Sequence, residues 1–78
     1  MEADKILYIK ATRKALDITM DGYAARCGVS RATMHRIYTG AEISERSELM
    51  VWITTIEKLA PKAGLPPFEE WEVPETVE

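Results

Sequence analysis

Apolar residues recur along positions 1–60 at intervals of three and four, and no stretch sustains the period-two alternation of a half-buried strand. The pattern predicts helices separated by short breaks. Asp4 can cap a first helix running to about Asp17, with Ile9, Thr12 and Leu16 on one face. Lys10 and Lys14 share the opposite, solvated face. Thr19 caps a second helix over 20–27, and Asp21 in its first turn suits the positive helix end. Gly28 stops that helix, because the residue after a helix often takes a left-handed backbone. Ser30 caps a third helix, in which Met34 and Ile37 point inward while Arg31, Ala32, His35 and Arg36 occupy outer faces. Gly40 ends it.

Ser44 or Ser47 opens a fourth helix to about Ala60, with Leu49, Trp52, Ile53, Ile56, Leu59 and Ala60 as its expected inner stripe. Met50 and Val51 fall on its flank or outside. Pro61 and Gly64 break the pattern. Pro66-Pro67 then introduces a short fifth helix from Pro67 to about Glu72, packed down by Leu65, Phe68 and Trp71. The expected fold is all-α: a compact five-helix bundle over residues 1–72, with an acidic C-terminal tail at 73–78.

Composition narrows the chemistry. The chain has 78 residues, 46% apolar and 29% charged, the balance of a globular domain. No apolar run approaches the roughly 20 residues that span a bilayer. The opening Met1-Glu2-Ala3-Asp4 is acidic and carries no secretory pattern. One cysteine and one histidine build neither an internal disulfide nor a zinc cage, so no metal site is expected. The four glycines are isolated and form no phosphate-cradling loop. His35 has no nucleophile or orienting carboxylate placed for it, and Cys27 reads as a small buried hydrophobe. No enzyme, cofactor or small-molecule substrate is expected. Charge is uneven: residues 1–60 hold 9 basic and 8 acidic side chains, whereas residues 61–78 hold one basic and five acidic. Residues 10–36 carry six basic side chains against Asp17 and Asp21, a local excess that a polyanion would meet first.

A helix, a turn of about three residues containing Gly28, and a second short helix form the signature of a helix-turn-helix. Ala24 is small where the two helices must cross. The ordered set Ile18-Thr19, Ala24, Gly28-Val29-Ser30-Arg31, Thr33-Met34-His35-Arg36-Ile37 and Gly40 resembles the phage repressor and Cro-type (XRE) helix-turn-helix family. Arg13, and Gly64-Leu65 followed by Phe68-Glu69-Glu70-Trp71, extend the resemblance over roughly residues 6–72. It implies a lambda-repressor-like bundle that places its third helix in the major groove of double-stranded DNA. On that reading Arg31, Ala32 and His35 face bases, Arg36 faces a base or a phosphate, and Ser30 and Thr33 lie at the approaching helix end. Thr19 would bring the start of the second helix to a phosphate, with Lys10 and Lys14 near the flanking backbone.

The chain departs from that family at three places. Met20 stands where a phosphate-braced glutamine is usual. Tyr38 stands where a glutamate usually pairs with the arginine of the first helix, leaving Arg13 to stack on the Tyr38 ring or to meet a phosphate. The loop Ala41-Glu42-Ile43-Ser44-Glu45-Arg46 is net acidic where relatives are often basic. The resemblance further implies a small transcriptional repressor of phage or mobile-element type, acting as a homodimer on an operator. Phe68, Trp71 and Met50 are candidates for the dimer interface, and Phe68 and Trp71 alternatively close the core. Two other readings stand beside it: a protein-interaction module that keeps the bundle without reading DNA, and an antitoxin that represses its own operon.

Overall fold

The hydrophobic periodicity becomes four α-helices and one short 3-10 turn in a computed structural model, which describes residues 1–74. Helix α1 spans Ala3–Leu16, α2 Met20–Cys27, α3 Arg31–Thr39 and α4 Glu45–Thr54. Among the described residues there is no strand. Helix α1 begins one residue before the expected cap, so Asp4 lies in its first turn, where its charge favours the positive helix end. The helix stops at Asp17, which takes a left-handed backbone with φ 55°, a conformation that Asp tolerates better than most residues.

Three caps fall on hydroxyl residues the sequence singled out. Thr19 accepts from the Gly22 amide, Ser30 from the Thr33 amide and Ser44 from the Ser47 amide, so each satisfies an amide that the first helical turn leaves unpaired. The fourth helix therefore opens at Ser44, not Ser47. Gly28 at φ 74° turns the chain between α2 and α3, and a Cβ there would lie 3.3 Å from Met50 Cε.

The end of α4 departs from the expected stop at Ala60. Proline lacks an amide hydrogen, and its ring crowds the carbonyl four residues back. The helix widens into a π turn over Thr55–Leu59, in which the Ala60 amide reaches Thr55 O, and an α-turn follows over Ala60–Ala63. Pro61 is thus accommodated near the start of that last turn. The expected fifth helix is shorter than its sequence implies, a 3-10 turn at Phe68–Glu70. Two consecutive prolines before it withhold two amides and hold the approach extended. Of the proposed tail, Val73 and Pro74 carry no regular structure, and 75–78 lie outside the described residues.

The core gathers Ile6 and Ile9 from α1, Tyr23, Ala24 and Cys27 from α2, Met34 and Ile37 from α3, and Val51 and Leu59 from the α4 segment. Helix α2 packs on α3 and α4, and α1 closes over α3 and the end of the α4 segment. One expectation about α4 is overturned. Val51, expected outside, is fully buried, while Leu49, Ile53 and Ile56, expected inside, are 58%, 39% and 39% exposed. The inner face is Val51, Thr55 and Leu59, at spacings of four. Thr55 can sit there because Tyr23, also fully buried, forms a 2.6 Å hydrogen bond to its hydroxyl, which ties α2 to α4.

That bond gives the first prediction. Tyr23→Phe removes one partner and is expected to lower stability by about 1–2 kcal/mol, because a buried hydroxyl loses its bond. Adding Thr55→Val should recover part of the loss. Urea denaturation of the two single variants and the double variant measures the coupling, and strictly additive losses would show that the two hydroxyls are not energetically linked.

Candidate nucleic-acid interface

Helix α3 presents its functional side chains because its underside is fastened. Met34 and Ile37 are 0% and 1% exposed. They stand three positions apart, so both point the same way and the opposite side faces water. Arg31, Ala32, His35 and Arg36 are all exposed. Ser30 and Thr33 are joined at the start of α3: Thr33 N donates to Ser30 Oγ at 3.1 Å, and Ser30 Oγ donates to Thr33 Oγ1 at 3.0 Å. Their hydroxyls stiffen that helix end and leave the adjoining Arg31 and Ala32 outward.

Arg31, Ala32 and His35 line one shallow depression together with Met20 from the first turn of α2. Three sequence-predicted residues are thus brought together, with a thioether beside them where an amide was usual in the resembling family. Thr19 is exposed at the start of the same helix. Arg26, in the last turn of α2, donates from Nη1 to Gly22 O at 2.9 Å and lies against its own helix.

Asp21 is the member of this surface that sequence reasoning assigned to another role. Its Oδ1 lies 3.1 Å from Arg31 Nε, with both side chains about 70% exposed (72% for Arg31 and 69% for Asp21). The residue was legible as a favourable charge at the start of α2. Its pairing across the turn depends on how closely the starts of α2 and α3 approach, a tertiary quantity. An exposed pair of this kind contributes little to stability, about 0–1 kcal/mol. Its consequence is electrostatic: one carboxylate partly neutralises the foremost arginine of α3.

The basic side chains of α1 divide. Arg13 turns inward, donating from Nε to Tyr38 Oη at 2.7 Å and from Nη1 to Ile18 O at 3.1 Å. Its guanidinium carbon also lies 5.5 Å from the Tyr38 ring centroid. Of the two fates open to Arg13, the structure takes the one with Tyr38. Lys10 is half-buried, with Nζ 5.4 Å from the same ring, so it leaves the fully solvated face expected for it. Lys14 is exposed. Burial raises the Tyr38 phenol pKa above its ordinary value, against an opposing pull from Arg13, so the phenol stays protonated at neutral pH.

The candidate dimer residues Phe68 and Trp71 pack against α1 and α4. Tyr8 stands 5.3 Å from Phe68 and 5.1 Å from Trp71, edge to face, and Trp52 stands 5.0 Å from Phe68. Tyr8 Oη donates to Pro66 O at 2.6 Å. Phe68 and Trp71 are therefore half-buried against their own chain, whereas Met50 is 38% exposed on α4.

Among the described residues, no group of three or more His, Cys, Asp or Glu side chains is placed to hold a metal ion, and no helix is long and apolar enough to cross a membrane. No family model, curated protein or solved structure matches the chain.

Cys27 lies behind this surface, 4% exposed, and burial pushes its thiol up to about 11 from an ordinary 9.0. A protonated, covered thiol is a poor nucleophile. Iodoacetamide at pH 8 is therefore expected to label Cys27 only as fast as the fold opens, with urea accelerating the reaction. Labelling at the rate of a free cysteine peptide would show that the thiol reaches solvent in the folded state.

Proposed function

We propose that the chain is a sequence-specific double-stranded DNA-binding protein of the helix-turn-helix class, acting as a dimeric transcriptional repressor. The observation that carries this reading is the exposed row Arg31, Ala32, His35 and Arg36 on a helix whose other side is locked by Met34 and Ile37. An α-helix with its side chains is about 10–12 Å across, and the major groove of B-DNA is about 12 Å wide. In that groove Arg31 forks onto the two acceptors of a guanine, and Ala32 meets a thymine methyl. His35 reaches a neighbouring base edge, and Arg36 meets a base or a phosphate. The ordered resemblance to the phage repressor and Cro-type family supports the same assignment, as does the local excess of positive charge over residues 10–36.

The reading also assigns roles around the helix. Thr19 and the exposed start of α2 are the reading's phosphate contact, because amides at a helix start attract an anion. Lys14 adds a flanking contact. Arg13 has none, since its donors face Tyr38 and Ile18. Repression follows by occlusion, with the bound dimer denying polymerase access in a bacterial cytoplasm.

A second reading has its own observation. The exposed apolar residues on α4 and the acidic 41–46 loop fit a protein-interaction module, in which a partner protein covers α4 and DNA is not bound. An antitoxin that represses its own operon would combine the two surfaces. Salt separates them: DNA affinity falls steeply with ionic strength because phosphate contacts release counterions, while an apolar protein interface is nearly indifferent to it.

Selection of bound sites from random duplex DNA is expected to return an inverted repeat. Arg31→Ala should then cost about 1–3 kcal/mol on the selected site and relax preference at one base position. If Arg36 meets a phosphate, Arg36→Ala should weaken selected and random DNA alike and flatten the salt slope by about one. Equal losses on both DNAs for both variants would remove the base-reading assignment. Asp21→Asn releases Arg31 and removes a carboxylate from the same surface, so it should tighten DNA binding by about threefold to tenfold at low salt and less at high salt. Unchanged affinity in Asp21→Asn, with a clear loss in Arg31→Ala, would show that the ion pair does not restrain Arg31.

A further inference from the structure

The depression at the start of α3 contains one residue to which the DNA reading gives no task. Met20 lines it beside Arg31, Ala32 and His35. Met20 is the first residue of α2, a helix end fixed by the Thr19 cap. It is half-buried and also packs against the core cluster, so its place on this surface is set by the fold. Arg31 is the first residue of α3. The starts of two helices therefore meet at one surface, as the 3.1 Å contact between Asp21 Oδ1 and Arg31 Nε also shows.

The lining divides by chemistry. Arg31 and His35 stand four positions apart, neighbours on one side of α3, and both bring hydrogen-bonding groups. Met20 and Ala32 bring only carbon and sulfur. A thioether has no hydrogen to donate and no charge, so Met20 gives a phosphate nothing to hold. The edges of base pairs in the major groove are polar except for one group, the 5-methyl of thymine. Methionine is unbranched and polarisable, and it moulds itself to a small apolar surface.

We propose that Met20 is a specificity-determining residue, which forms with Ala32 an apolar seat for the 5-methyl group of a thymine next to the guanine read by Arg31. The proposal rests on the DNA-binding reading and deepens it, because the methyl contact given to Ala32 gains a second wall from a different helix. The seat touches the methyl and no polar atom of the base. It therefore takes the same methyl on 5-methylcytosine, and it rejects uracil and unmethylated cytosine.

Duplexes selected from random DNA by the full chain are the probe. The selected site is expected to carry a thymine beside the guanine whose preference Arg31→Ala relaxes. Replacing each thymine by uracil removes one methyl and keeps every hydrogen-bonding group. At that one thymine the change should cost about fourfold in affinity, the worth of one buried methyl-sized group. Putting cytosine there, and then 5-methylcytosine, separates the two sources of the methyl, and methylation should return the same factor. The thymine-to-uracil ratio should hold steady as salt rises and both affinities fall, because a methyl contact releases no counterions. Met20→Gln should bring the ratio below about twofold, whereas Met20→Leu, which keeps an apolar side chain, should preserve it. Helical circular dichroism identifies folded variants, and the scan on the wild type needs none. A bound duplex with no thymine beside that guanine, or with a flat uracil scan, overturns the proposal and leaves the DNA reading standing. So does a fourfold ratio that persists in folded Met20→Gln. A chain that retains no duplex at low salt overturns both.

Discussion

Burial of two side chains, Met34 and Ile37, holds the proposed DNA-reading surface in place. Helix α3 has nine residues, too few to persist alone in water, so its existence depends on what lies beneath it. The floor is built from three other helices: Ile9 from α1, Tyr23, Ala24 and Cys27 from α2, and Val51 from α4. Each buried aliphatic or thioether side chain contributes about 1.5–3 kcal/mol relative to exposure. Fastening one side of so short a helix leaves its opposite side projecting, which is the condition for entering a groove. The Tyr23–Thr55 hydrogen bond keeps that floor level, because it lets a polar residue of α4 face the core with its hydroxyl satisfied.

The basic residues fall into two populations with different tasks. Arg13 and Lys10 gather around Tyr38, where the guanidinium takes both the phenol oxygen and the Ile18 carbonyl and the ammonium approaches the ring. These contacts join the end of α1 to α3 and to the start of the segment leading into α2. Arg31, Arg36 and Lys14 remain in solvent. Counting charge along residues 10–36 therefore overstates what a polyanion meets, and Asp21 lowers it further by holding Arg31 at 3.1 Å.

The exposed side chains Leu49, Ile53 and Ile56 and the aromatic closure at the chain end are separate apolar groups of residues 45–74, alongside the core residues Val51 and Leu59. Phe68 and Trp71 reach back to Tyr8, whose hydroxyl holds Pro66, so the segment after Gly64 packs against its own domain. Leu49, Ile53 and Ile56 have no such counterpart in the core, since Val51, Thr55 and Leu59 already occupy the inward face.

Much of the local structure was written in the residues themselves. Caps at Thr19 and Ser30, the left-handed turn at Gly28 and the inward pair Met34 and Ile37 follow from hydrogen-bonding capacity, backbone freedom and helical spacing, all properties of a few neighbouring positions. For the same reason the outward set Arg31, Ala32, His35 and Arg36 was legible before any coordinates. What the residues alone could not settle was which of two apolar faces α4 turns inward, because periodicity gives a stripe and not the direction of the core. Nor did they determine that a π turn carries the helix past Pro61, that Arg13 closes on Tyr38, or that Asp21 holds Arg31. Those outcomes depend on distances between helices far apart in sequence, which exist only once the bundle has packed.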